Sequence, residues 1–325
     1  MINRRTFLYG SGVTLLGAAL PSLGQERVAN GALIFGQPPG SYGAKVAEGL
    51  LPMLATYAGL DYQVQYVTQR NTRAAGEAVK RARPDGKTLL QTMSASMSLF
   101  PSVYTDLPYD PLKDFTPLMV VGDFTYTLAV GPAVPPTVHT IDDYIAWVSR
   151  NPEYRDLGVA LYGSPGHLAG LMLARKKDIA LRIQPYMAVT AAIKDMLNKS
   201  LAASIIVTGL VTSSQAQGQL RALAVTSRTR FTKWPNVPTL GEQGVPTDIN
   251  GWIGWFAPAH LSSAVSGSLF KSIALLQSAH EFSTFQSRML MSPVSLSSEQ
   301  ITERIRQEIT TYRALIQEYG LSQMS

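Results

Sequence analysis

Two short loops hold the residues best suited to chemistry. The first is Gly36-Gln37-Pro38-Pro39-Gly40-Ser41-Tyr42 and the second is Tyr162-Gly163-Ser164-Pro165-Gly166-His167. Each follows a short apolar run and precedes a helical pattern. A strand that ends in a Gly/Pro loop opening a helix presents unpaired backbone N–H groups beside small hydroxyls, which is the chemistry that holds an anion. Any β–α unit offers one such loop. Two of them in separate halves of a chain predict a cleft with anion-binding N–H groups on both walls. Ser94 and Ser96 follow a strand at its carboxyl end, and Thr208 follows Ile205-Ile206-Val207, so these three join the candidates. Local alternatives stay open. Ser41 and Tyr42 also suit capping and packing of the first helix, and His167 suits either an anion donor or a satisfied structural residue.

Covalent, metal and nucleotide chemistry find no support. The four histidines, His139, His167, His260 and His280, show no metal-ligand spacing. Ser164 and His167 share one loop without a partner acid or a G-x-S-x-G elbow. The first loop is not a G-x-x-x-x-G-K-[ST] phosphate loop. The chain has no cysteine, which excludes disulfides, thiolate metal sites, a cysteine nucleophile and a lipid anchor on cysteine. The expectation is therefore no catalytic residue, no metal and no cofactor.

The elements that must position the two loops alternate. Residues 32–35 read as a strand, and Val46, Leu50, Leu51 and Leu54 mark one face of a helix after the first loop. Tyr62, Val64 and Tyr66 alternate as a strand, residues 72–83 read as a helix, and Pro84-Asp85-Gly86 is a turn before a strand at 88–92. A Pro-rich surface stretch covers 101–117. Then come a strand at 128–130, a helix at 141–150 capped by Thr140, a strand at 157–162 and a helix at 168–175. Further strands fall at 205–207 and 220–225. Ser297 and Gln300 fit a capping box for a last helix with Ile301, Ile305, Ile309, Tyr312, Ile316 and Tyr319 on its apolar face. Strands alternating with helices predict an α/β fold with a parallel sheet.

The first 24 residues read as an export signal. Arg4-Arg5-Thr6-Phe7-Leu8 is a twin-arginine opening, an apolar stretch runs from Val13 to Leu20, and small residues precede a cut after Gly24. The apolar run is too short to span roughly 30 Å of hydrocarbon. Cleavage leaves about 300 residues, enough for one large domain or two of ordinary size. Apolar residues make up 46% of the chain and charged ones 15%, which suits a packed globular protein. The net charge of +6 is dispersed; its densest cluster, Lys80-Arg81-Ala82-Arg83, ends a helical pattern, where cations oppose the helix dipole. An exported chain with that distribution is a poor fit to nucleic acid.

Several runs resemble a known family. Pro84-Asp85-Gly86-Lys87-Thr88-Leu89-Leu90 and Leu107-Pro108-Tyr109-Asp110-Pro111-Leu112-Lys113-Asp114-Phe115 resemble the "PDGYTLL … LPYDPxKDF" run of the Bug, or TctC-like, family. These are periplasmic solute-binding proteins of tripartite tricarboxylate transporters. Ser164-Pro165-Gly166-His167-Leu168-Ala169-Gly170, Leu220-Arg221-Ala222-Leu223-Ala224-Val225-Thr226-Ser227, Pro235-Asn236-Val237-Pro238-Thr239 and Trp255-Phe256-Ala257-Pro258-Ala259 continue the likeness in the family's order.

The resemblance implies a two-domain periplasmic-binding-protein clamshell of type II-like architecture. Its ligand cleft lies between the lobes, and the chain crosses between them near 122–127 and 248–254. Lobe 1 would comprise 25–124 and 252–325, and lobe 2 would comprise 125–251. Trp252 and Trp255 would pack the second crossing. Family members hold carboxylates with backbone N–H groups, small hydroxyls and waters from the two loops, which selects Gln37, Gly40, Ser41, Tyr42, Tyr162, Ser164, Gly166 and His167. Departures from the family pattern bear on the ligand. The first loop lacks the usual Asp, "NRPGAGG" is replaced by Gln69-Arg70-Asn71-Thr72-Arg73, and "YKG" becomes Tyr186-Met187-Ala188. Tyr186 joins the candidates, and Tyr42, Tyr162 and Met187 would pack against an aromatic or extended apolar acid.

The expectation is a monomeric periplasmic protein that captures a small organic carboxylate, either a di- or tricarboxylate or an aromatic acid. Its partners would be the membrane subunits of a tripartite transporter. The alternative is a binding protein that signals to a membrane receptor or sensor kinase; an enzyme on the same scaffold is the third class.

Overall fold

The computed structural model describes residues 31–325; the expected signal at 1–24 lies outside them, as does the start of the expected first lobe. β1 (Gly31–Phe35) runs into the first loop, and α1 (Tyr42–Ala58) follows. Val46, Leu50, Leu51 and Leu54 form the buried face of α1 as their spacing predicts, and Gly59, at φ 66°, ends it in the left-handed region. β2 (Tyr62–Tyr66), α2 (Arg73–Lys80) and β3 (Thr88–Met93) complete the first α/β layer. β1 pairs in parallel with both β2 and β3.

The stretch expected to be surface is partly core. A π-helical turn, Ala95–Leu99, passes into α3 (Phe100–Val103), and Tyr104 and Tyr109 are buried. The strand expected at 128–130 is only the end of the 16-residue β4 (Phe115–Val130). The second layer contains α4 (Ile141–Arg150), β5 (Asp156–Ala160), α5 (Pro165–Lys176), β6 (Arg182–Tyr186), α6 (Val189–Leu197), β7 (Ala203–Val207), α7 (Thr208–Ala216) and β8 (Arg221–Val225). β5 lies parallel to both β6 and β7. β9 (Asn250–Pro258) then returns, followed by α8 (Ser263–Ser278), α9 (His280–Arg288) and α10 (Ser298–Tyr319). The capping box at Ser297 and Gln300 forms as expected.

The strand order is β2-β1-β3-β9-β4-β7-β5-β6, with β8 also on β4. β4 and β9 run antiparallel from Phe115 opposite Pro258 to Thr125 opposite Asn250. The sheet is therefore mixed, and the parallel expectation holds only within each outer part. The reason is the return path. β4 carries the chain from the first layer to the second and β9 carries it back, so the two strands lie side by side in opposite directions. Among the described residues, no helix is long and apolar enough to cross a membrane.

β9 is buried on both faces, so it reads as a continuous apolar run rather than an alternating one. Trp252 and Trp255 are fully buried on its opposite sides. The Trp255 indole N–H donates to Gln91 Oε1 at 3.0 Å, and the Trp252 indole N–H donates to Glu308 of α10 at 3.0 Å. Glu308 also accepts from Arg304 Nε at 2.8 Å and from Ser98 Oγ at 2.5 Å, and Arg304 Nη1 reaches Asp123 of β4 at 2.8 Å. These bonds tie both crossing strands to the last helix.

Candidate functional site

Ser41 and Ser164 begin α1 and α5 in the same way. Each has extended backbone, and each Oγ accepts an N–H three residues on: Ala44 at 3.3 Å and His167 at 3.1 Å. Each follows the carboxyl end of a parallel strand, β1 or β5, so both helix starts face one cleft. The first N–H groups of α1, those of Tyr42 and Gly43, have no carbonyl of their own helix to bind. Residues at or within a turn of the starts of α2, α6 and α7 (Ala75, Val189 and Leu210) also reach the cleft wall. The starts of α1 and α5 therefore offer N–H groups and positive dipole ends that favour an anion, whereas at α2 the N–H groups of Arg73, Ala74 and Ala75 already bond the carbonyls of Arg70, Gln69 and Thr72.

The cleft encloses about 860 Å³ of space between atoms, part of it open to solvent. Among the described residues, no charged side chain lines it. Phe35, Tyr42, Phe100, Tyr109 and Tyr126 give it an aromatic wall, and Ser41, Thr72, Thr92, Ser96 and Ser164 contribute hydroxyls. Two of the tyrosine hydroxyls already serve the fold. Tyr42 donates to the Met289 carbonyl at 2.7 Å and Tyr109 to the Ser96 carbonyl at 2.9 Å. Burial pushes the phenols of Tyr42, Tyr109 and Tyr126 far up, so all three stay neutral.

The backbone around the cleft is strained. Arg70, Asn71 and Thr72 are consecutive left-handed residues at φ 55°, 53° and 70°, and Leu161 on the facing wall has φ 59°. Asn71 Nδ2 donates to the Tyr162 carbonyl at 2.9 Å, joining the two sides of the cleft, and also to the Tyr104 hydroxyl. A second hollow of about 590 Å³ adjoins the cleft and shares Leu161 and Met187 with it.

Of the residues selected from sequence, Gln37, Ser41, Tyr42, Ser96 and Ser164 line the cleft, as does Met187. Tyr162 and Tyr186 line the adjoining hollow instead. Gly40 stands exposed at φ 79°, where it serves the turn. Ser94 faces β9 and accepts the Trp252 N–H at 3.3 Å. Thr208 turns its hydroxyl to the Thr125 carbonyl at 2.9 Å and to Thr127 at 2.8 Å, which satisfies it away from the cleft. Gly166 packs α5 closely against Ile205 of β7.

His167 is buried behind the loop. Its Nδ1 accepts the Gly163 N–H at 3.3 Å, its ring stands edge-on to Tyr162, and desolvation lowers its pKa to about 4. It is a neutral acceptor at pH 7 and carries no charge to offer an anion. Thr72, Phe100, Tyr109, Tyr126 and Leu161 were not selected from sequence. Tyr109 sits inside the Leu107–Phe115 motif, which could have drawn attention to it; Tyr126 lies within an apolar strand and carries no separate signal. Among the described residues, no group of His, Asp and Glu is placed to hold a metal ion.

Comparison with known proteins gives a consistent result. The family described as "Tripartite tricarboxylate transporter family receptor" (TctC) matches residues 65–321. The chain is 28% identical over 291 residues to Protein BugT of Bordetella pertussis, covering 87% of each chain. Among solved structures, the periplasmic binding protein BugD superposes with a TM-score of 0.83 at 24% identity, covering 91% of this chain and 99% of that one. R. palustris Rpa4515, solved with adipate, gives 0.85 at 21% identity and 91% and 99% coverage. MatC from Rhodopseudomonas palustris, solved with bound malate, gives 0.80 at 18% identity and 89% and 99% coverage. The fold is that of the two-lobed periplasmic binding proteins.

Proposed function

Because this chain belongs to the tripartite tricarboxylate transporter receptor family, we propose that it captures a small organic carboxylate between its lobes and presents it to the membrane subunits of such a transporter. The observation that carries this reading is the meeting of the α1 and α5 starts, each capped by a serine, on a cleft that no charged side chain lines among the described residues. Backbone dipoles there replace the hydration of one carboxylate without the need for a cation. The adipate and malate found in the two R. palustris relatives support an acid as the ligand class. The lobe limits that fit this reading are those expected from sequence, 25–124 with 252–325 and 125–251. The protein works in the periplasm after loss of residues 1–24, as a binding protein and not an enzyme.

The aromatic wall narrows the class. Several carboxylates in an uncharged cleft would each lose hydration with no cation to compensate. A single carboxylate on an aromatic or otherwise apolar body fits better, as Phe35, Phe100 and the three tyrosines would cover that body. The test is a thermal-shift screen of residues 25–325 against aliphatic, aromatic and tricarboxylic acids. A ligand at 100 times its Kd stabilises by about 2.7 kcal/mol. Apolar-bodied acids should raise Tm and citrate should not; a response to citrate alone would reject the apolar preference, and a flat panel would reject the carboxylate reading.

A further inference from the structure

We propose that the cleft is the inner chamber of a two-chamber site, and that the adjoining hollow holds a second anionic group of an elongated acid on the guanidinium of Arg73. The inference rests on the carboxylate reading above. The hollow is lined from one lobe by Arg70, Asn71, Arg73 and Tyr104 and from the other by Tyr162 and Tyr186, with no acidic residue among its lining. It is more open to solvent than the inner cleft.

The two arginines differ. Arg70 is paired with Glu77 at 2.7 Å. Arg73 is only 9% exposed, yet it makes no ion pair among the described residues. Its Nε donates to the Arg70 carbonyl at 3.0 Å and its Nη1 to the Asp106 carbonyl at 3.2 Å, while its guanidinium lies 3.9 Å from the centre of the Tyr104 ring. A guanidinium has five N–H donors and stays charged, so these contacts leave both donors and charge unmatched. Buried charges in proteins are otherwise paired, and a ligand anion in the hollow would supply the missing partner.

Leu161 and Met187 are the residues common to both chambers. Leu161 is buried, and its N–H is fixed to the Tyr186 carbonyl at 3.0 Å. Met187 is 59% exposed, unbranched and free to turn. It is therefore the movable part of the partition. An acid with its carboxylate at the helix starts and its apolar body along the aromatic wall would pass beneath Met187 to reach Arg73. The same side chain would set the length of acid accepted.

Calorimetric titration of residues 25–325 with hexanoate and with decanedioate tests this. Decanedioate should bind about tenfold tighter, the gain expected of one charge-assisted contact. Arg73→Gln should abolish that advantage and leave hexanoate within about twofold, and Arg73→Lys should restore part of it. Met187→Trp, a change at an exposed position that fills the junction, should lower the ratio of decanedioate to hexanoate affinity toward one whatever it does to hexanoate itself, and decides the matter if the Arg73 variants fail to fold. Equal weakening of both acids by Arg73→Gln, or an undiminished preference for decanedioate in both variants, would overturn the proposal. If hexanoate binds and decanedioate binds no better, the second chamber is refuted and the carboxylate reading stands. If neither binds, both fall.

Discussion

At the scale of single residues, the two serines that begin α1 and α5 cap their helices and line the cleft, so the proposed binding would draw on groups that also hold the fold. Ser164→Ala removes the hydroxyl that caps His167 N–H, which should cost about 1 kcal/mol of stability. It also removes a cleft hydroxyl, so ligand affinity should fall as well. Chemical unfolding and titration of the same variant separate the two effects, and loss of stability alone would confine Ser164 to capping. His167 supports a pH prediction. Its folded pKa of about 4 lies below the ordinary 6.5, so the unfolded chain binds the proton more readily. Its contribution to stability is then complete above about pH 6.5 and is lost as pH falls toward 4, by no more than about 3 kcal/mol. Protonation would also remove the Nδ1 acceptor of the Gly163 N–H. Tm measured from pH 4.5 to 7.5 should fall on acidification, and His167→Asn, whose Oδ1 can accept the same N–H, should flatten the slope. An unchanged slope would contradict the assignment.

At the scale of elements, the crossing strands and the last helix form one unit. Glu308→Ala would leave the Trp252 indole N–H and the Ser98 hydroxyl without their acceptor and Arg304 with Asp123 alone. Trp252 and Ser98 are buried while Arg304, Asp123 and Glu308 are partly open to solvent, so a loss of about 2 kcal/mol is expected in urea unfolding; a change below about 0.5 kcal/mol would place the network at the surface in energetic terms. Much of this level was legible in sequence. The face of α1, the N-cap at Thr140, the capping box at Ser297, and the two strand–loop–helix units all follow from local spacing and cap chemistry. The long β4 and β9 were not, because strands buried on both faces lose the two-residue alternation that identifies a strand. β6, α6 and α7 were missed for another reason: they are short and partly exposed, so their apolar periodicity is weak. The cleft was legible through its two glycine- and proline-bearing loops. Its aromatic wall was not, since Phe100, Tyr109 and Tyr126 come from three distant segments that only the tertiary fold brings together. Ser94 and Thr208 sit at strand ends like true cleft residues, but their hydroxyls satisfy the neighbouring backbone instead.

At the scale of the whole molecule, the proposed ligand capture would depend on the approach of two lobes across one cleft. The approach is close at the start of α7, where Gly209 faces the other lobe. A β-carbon there would meet the Tyr42 ring at 2.7 Å and the Met289 carbonyl at 2.8 Å. Gly209→Ala should therefore hold the lobes apart, weaken ligand binding by about tenfold and enlarge the radius of gyration in solution scattering. Unchanged affinity would mean that the ligand does not need this degree of closure. Asn71 acts in the opposite sense, since its bond to the Tyr162 carbonyl links the two sides of the cleft. The central claim is that an organic acid occupies the cleft between them. It is tested most directly by calorimetric titration of residues 25–325 with benzoate and with citrate, repeated on Ser164→Tyr, whose ring would fill the cleft. Saturable one-to-one binding of benzoate, no detectable heat with citrate, and loss of the benzoate heat in the filled variant are expected. No heat with either acid, or benzoate binding undiminished in Ser164→Tyr, would contradict it.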